Sequence, residues 1–189
     1  MMRRVLLMMT AFCVMAGVAS AQRGGPVGLA AGLQGAYNFL KANLTQSAEI
    51  VPDSGYGFKP STMAEVRTYG QVIGHVTDAQ FGQCSGALGV PNPNQGSLEA
   101  PGKTRAELIK ALADSFALCD KVFEALTDQN ATEMISNGRG GMQARAVALM
   151  GVISHGNEMY GISTVYQRAQ NIVPPSTAAR GRGRGGRGN

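Results

Sequence analysis

The 189-residue chain reads as an all-α protein, a four-helix bundle built as one domain. Three observations predict this. Four segments carry apolar residues at steps of three and four, the spacing of one helical face. No segment sustains the alternation of a half-buried strand, so no sheet is expected. Turn residues separate the four segments, and four amphipathic helices bury their stripes against one another.

The first helix is expected from Val27 to about Ile50, with Leu29, Leu33, Ala36, Tyr37, Leu40 and Leu44 on one face. Pro52-Asp53-Ser54-Gly55 ends it with turn chemistry. Ser61 or Thr62 is the expected start of the second helix, because Glu65 stands three residues after Thr62 as in a capping box. That helix runs to about Leu88, with Val66, Tyr69, Val72, Ile73, Val76, Phe81 and Cys84 as its core face. A loop with Pro91, Pro93 and Pro101 follows. Thr104 then caps the third helix, with Glu107 completing a second box. Its stripe is Leu108, Ile109, Leu112, Phe116, Cys119, Phe123 and Leu126. After a polar, glycine-rich stretch, the fourth helix is expected over Met142 to Ile172. Its face is Ala146, Leu149, Val152, Ile153, Tyr160, Val165 and Tyr166, and Pro174-Pro175 stops it.

The ends read differently from the body. Arg3 and Arg4, the apolar run Val5 to Val18 and the triplet Ala19-Ser20-Ala21 form a secretory signal peptide over residues 1–21. The expected location is therefore periplasmic or secreted, with no membrane span left after cleavage. Residues 22–26 are a flexible lead-in, 27–176 the helical domain, and 177–189 a disordered tail rich in Arg and Gly. The net charge of +5 comes from these ends. Removing Arg3, Arg4, Arg23, Arg180, Arg182, Arg184 and Arg187 from the 17 basic residues leaves 10 against 12 acidic ones. The domain thus has no basic face, and nucleic acid is not an expected partner. Cleavage would leave Cys84 and Cys119, an even pair in an oxidising compartment, and a disulfide between them is expected.

His75 and His155 are the only histidines, near the middles of the second and fourth helices. Packing is the plain reading of a lone core histidine. The surrounding residues argue for more. Tyr160-Gly161, Tyr166, Arg168 and Ile172-Val173-Pro174-Pro175 follow His155 in a pattern that resembles the last helix of DinB-like proteins. Val66 to Val76, which holds His75, resembles that family's second helix, and Tyr56 to Pro60 its first-helix exit. The resemblance spans roughly residues 30–176. It implies a DinB-like bundle and a divalent metal, zinc or nickel, held by one histidine of the second helix and two of the fourth. Histidines four residues apart project from one helix face, so such a pair can share an ion with a third across the core.

The sequence departs from that pattern at the third ligand, which is Met159. A thioether is a poor zinc or nickel ligand and suits Cu(I). Three readings stand open. The site is degenerate, with Met159 packing and no metal bound. Or His75 and His155 hold a divalent ion weakly with Glu158 or Asp78 as an oxygen donor. Or His75, His155 and Met159 hold copper. The resemblance also implies a small-molecule substrate, hydrolase- or transferase-like chemistry and a homodimer; the catalytic residues and the reaction are unknown. Two further readings compete with an enzyme. One is a non-catalytic binding or scaffold protein. The other is a protein that binds polyanions or surfaces through its arginine tail.

Overall fold

A computed structural model describes residues 27–138 and 140–185, with side chains to Gly181. The expected signal peptide, the lead-in and residues 186–189 lie outside the described residues. Four long helices form the bundle: α1 (Leu29–Ile50), α3 (Tyr69–Leu88), α4 (Arg105–Glu124) and α5 (Arg145–Ala169). A single-turn helix, α2 (Asp53–Tyr56), sits where the sequence promised only a turn. Helix α3 packs on α4 and α5, and α1 closes the square against the same two. No helix among the described residues is long and apolar enough to cross a membrane.

The stripes read from the sequence line the core, except that Leu29 and Ala36 of α1 are exposed, Leu29 because it is the first residue of the helix, at its end. Leu33, Tyr37, Leu40 and Leu44 of α1 are buried, as are Val72, Ile73 and Val76 of α3, Leu108, Leu112, Phe116 and Phe123 of α4, and Leu149, Val152 and Ile153 of α5. Thr104 caps α4 as expected: its hydroxyl accepts from the Glu107 N–H, and the Glu107 carboxylate accepts from the Thr104 N–H. Cys84 and Cys119 form the expected disulfide, with Cα atoms 5.1 Å apart and both residues fully buried.

The structure corrects the sequence reading at four further places. Helix α3 is capped by Thr68, seven residues after the first expected cap Ser61, and its box is completed by Gln71. The backbone before it is satisfied by tertiary bonds instead of helical ones: Tyr166 donates its hydroxyl proton to the Arg67 carbonyl, and the Tyr69 N–H donates to Phe58. Second, a small hairpin exists. β1 (Met134–Ser136) pairs antiparallel with β2 (Met142–Ala144), so α5 starts at Arg145 and not at Met142. Three residues per strand are too few to show alternation, and the turn relies on Gly138 and Gly140 at positive φ.

Third, Val165 is 58% exposed. The α5 stripe drifts, and Ser163, Tyr166 and Gln167 take the inward positions there. Those two polar residues lie in the core with hydrogen bonds, Ser163 to the Tyr160 carbonyl and Gln167 to the Tyr69 hydroxyl. Fourth, a helix α6 (Pro175–Gly185) covers residues whose composition reads as disordered tail from 177. Proline is favoured at the first position of a helix. The first turn is also fastened to α5: the Tyr160 hydroxyl donates to Ser176 Oγ and accepts from the Ser176 N–H, and Arg168 donates to Thr177.

Candidate functional site

Helices α3 and α5 carry one histidine each to their shared seam. His75 lies two turns into α3 and His155 near the middle of α5. Their rings meet edge to face, with centroids 5.2 Å apart and planes inclined by 73°. Their side chains are 29% and 25% exposed, so the pair is open to solvent on one side. Met159, one turn beyond His155, is 2% exposed and counts among the core residues.

The two rings are held differently. His75 Nδ1 is 2.6 Å from Glu99 Oε2. The other Glu99 oxygen, Oε1, accepts from Arg67 Nε at 2.8 Å. A second Arg67 nitrogen stands 3.3 Å from His75 Nδ1. A carboxylate only accepts and a guanidinium only donates. Nδ1 therefore cannot serve both, and the shorter contact assigns its proton to the Glu99 bond. Burial raises the Glu99 carboxyl, but the hydrogen bonds from Arg67 and His75 outweigh it and hold the group below the usual carboxylate range. His155 has a looser partner. Its Nδ1 is 3.5 Å from Glu158 Oε2, on a side chain that is 67% exposed.

Glu99 comes from the proline-containing loop between α3 and α4, and α3 itself holds that loop in place. Asp78 accepts from the N–H groups of Leu98 and Glu99, from Asn94 Nδ2 at 2.7 Å and from Ser97 Oγ. Gly74 gives the loop room, because a side chain there would overlap the Leu98 carbonyl. Asp78 was one of two oxygen donors the sequence offered to a metal. Its oxygens are instead spent on the loop. The geometry thus brings His75 and His155 together, buries Met159 in the core one helical turn beyond His155, and keeps Asp78 out. Glu99 and Arg67 were not singled out from the sequence. Glu99 sits 24 residues from His75 in a loop without periodicity, and no spacing rule points to it.

Among the described residues no three His, Cys, Asp or Glu side chains are grouped to hold a metal ion. A centre of three imidazoles for zinc or nickel does not fit this donor set. Two imidazole nitrogens and a neutral sulfur fit a softer ion better. A cavity of about 580 Å³ lies nearby, lined by Tyr56, Gln71, Leu98, Lys103 and Arg105 among others, but neither histidine reaches it.

An all-α bundle with a histidine pair across two of its helices defines the class. The DinB superfamily profile matches residues 36–157, and the chain belongs to that superfamily. The matched stretch contains both histidines and ends before Met159. Solved structures agree on the fold. A DinB-like protein from Bacillus cereus superposes with a TM-score of 0.64 at 17% identity, over 76% of this chain and 94% of that one. A conserved protein from Enterococcus faecalis gives 0.56 at 12% identity, over 76% and 97%. A DinB-like protein from Bacillus subtilis gives 0.53 at 16% identity, over 74% and 92%. No curated protein matches the sequence.

Proposed function

We propose that this chain is an ion-binding member of the superfamily, with His75 and His155 as nitrogen donors, Met159, one helical turn beyond His155, as a sulfur donor, and a preference for Cu(I) over zinc or nickel. The observation that carries this reading is the histidine pair itself, two rings 5.2 Å apart across α3 and α5. His75 also has its Nδ1 hydrogen-bonded to the Glu99 carboxylate, while His155 has only a looser 3.5 Å contact to Glu158. Ligating histidines characteristically use their second nitrogen this way. Binding rather than turnover is what these residues support. The domain would meet its ion outside the cytoplasm if residues 1–21 direct export, which the buried disulfide favours.

The second reading is a scaffold that has kept the bundle and lost the metal. The burial of Met159 and the absence of a third ionisable ligand among the described residues favour it. One experiment separates the two. The protein from residue 22 onward is incubated with Cu(I), zinc and nickel, desalted, and assayed for metal by plasma mass spectrometry beside a His75→Ala/His155→Ala variant. Near-stoichiometric copper that the double variant loses supports the first reading. No retained ion, or equal retention by both proteins, leaves the scaffold.

A further inference from the structure

We infer that Glu99 is a positioning residue: it fixes His75 in the tautomer with the proton on Nδ1 and so leaves Nε2 as the free donor atom. This rests on the ion-binding reading above, and it adds a residue and a mechanism of control to that site. A free neutral imidazole can carry its proton on either nitrogen, and the hydrogen bond made by one nitrogen decides which. At His75 that bond is the 2.6 Å contact to Glu99 Oε2. Both Glu99 oxygens are occupied, one by His75 and one by Arg67, so the carboxylate orients the ring and is not itself a ligand.

Arg67 makes the arrangement a two-way device. Its guanidinium lies 3.3 Å from Nδ1 and can only donate. While Glu99 is present, the Nδ1 proton goes to the carboxylate. Without Glu99, Arg67 would donate to an unprotonated Nδ1, which drives the proton onto Nε2 and blocks the donor atom. The loop that brings Glu99 is set by Gly74 and Asp78, on the same helix as His75. Helix α3 therefore carries both the ring and the fastening for the group that orients it.

The test is nitrogen-15 NMR of the metal-free protein, which distinguishes protonated from unprotonated ring nitrogens. Neutral wild-type His75 is expected with its proton on Nδ1. Glu99→Ala should move the proton to Nε2, while Arg67→Ala and Glu99→Gln, which keep an acceptor beside Nδ1, should leave it on Nδ1. A wild-type ring protonated on Nε2 overturns the inference outright, with no variant needed, and so does an unchanged tautomer in Glu99→Ala. Both Glu99 and Arg67 are about one-third exposed, so their truncation removes little core packing. The second arm titrates Cu(I). Glu99→Ala should bind it about ten- to a hundred-fold more weakly than wild type, the usual cost of removing a group behind a ligand. If the tautomer responds as expected but wild type binds no Cu(I), the positioning role stands and the ion-binding reading falls. If wild type binds Cu(I) and Glu99→Ala binds it equally well with an unmoved proton, the reverse holds.

Discussion

Helix α3 presents two unlike seams. Toward α4 it is closed and cross-linked: Cys84 is bonded to Cys119, and the buried Ser115 hydroxyl donates to Gln80 Oε1. Toward α5 it is polar and partly open. There Tyr69 accepts from Gln167, Tyr166 bonds the Arg67 carbonyl, and the two histidines face each other at the surface. The Tyr69 hydroxyl is pushed up by burial and keeps its proton for the Ser47 carbonyl. The difference shows how a small bundle can carry a site. One seam holds the helix in place, so the other can keep side chains that pack less well but bond or bind.

The largest expected break of this comparison is the cross-link. Replacing both cysteines, Cys84→Ala with Cys119→Ala, should cost about 3–4 kcal/mol in urea unfolding, from the loop of 35 residues that the bond closes. The tautomer of His75 should not change. A loss under about 1 kcal/mol would mean that packing alone holds the α4 seam. A changed tautomer would mean that the two seams are not independent.

The next effect tests the open seam with a control in the same helix. Gly74→Ala puts a methyl group against the Leu98 carbonyl and the Glu99 N–H, so the loop must lift. We expect a loss of about 1–3 kcal/mol, as for other overpacked sites. Gly82→Ala meets nothing within 4 Å and should gain about 0.5–1 kcal/mol from helix propensity. Thermal unfolding reads both. If Gly74→Ala also stabilises, the loop is not clamped to α3 and Glu99 has lost its support.

These two sites also mark what was legible in the sequence. The cross-link was readable because cysteines are few and the compartment was argued from the first 21 residues. The histidine pair was readable because the residues around His75 and His155 resemble the DinB-like pattern, which implies a ligand histidine on each of those helices. The start of α3 was not, because Thr62 with Glu65 and Thr68 with Gln71 both precede the same apolar register. Val66, Tyr69, Ile73 and Val76 keep steps of three and four from either start, and only the Tyr166 and Phe58 bonds decide. The partners of His75 were hidden for a related reason. Glu99 acts through a loop held by a glycine and an aspartate, and a single loop position leaves no periodic trace. Helix α6 leaves little trace in the sequence because arginine and glycine dominate it over one proline and two alanines.

The smallest effect separates the starts of the two helices that form the closed seam. Both begin with a capping box, but α3 completes its box with neutral Gln71 and α4 with Glu107. The backbone hydrogen bond from Thr104, and then its hydroxyl, hold the Glu107 carboxyl below the usual range. A carboxyl lowered on folding stabilises fully above its unfolded value, and that contribution drains away as the pH falls from there through the folded value. The side chain is fully exposed, so the effect is small and shows only as a slope. Acidification from neutrality should therefore loosen the start of α4 and leave the start of α3 unaffected. Hydrogen exchange at Leu108 and Val72, one turn into each helix, reads the two directly. Glu107→Gln keeps an oxygen acceptor and should remove the pH dependence at Leu108 while retaining the cap. Equal acid sensitivity at both helix starts would place the effect elsewhere in the bundle and take the closed seam's pH response away from Glu107.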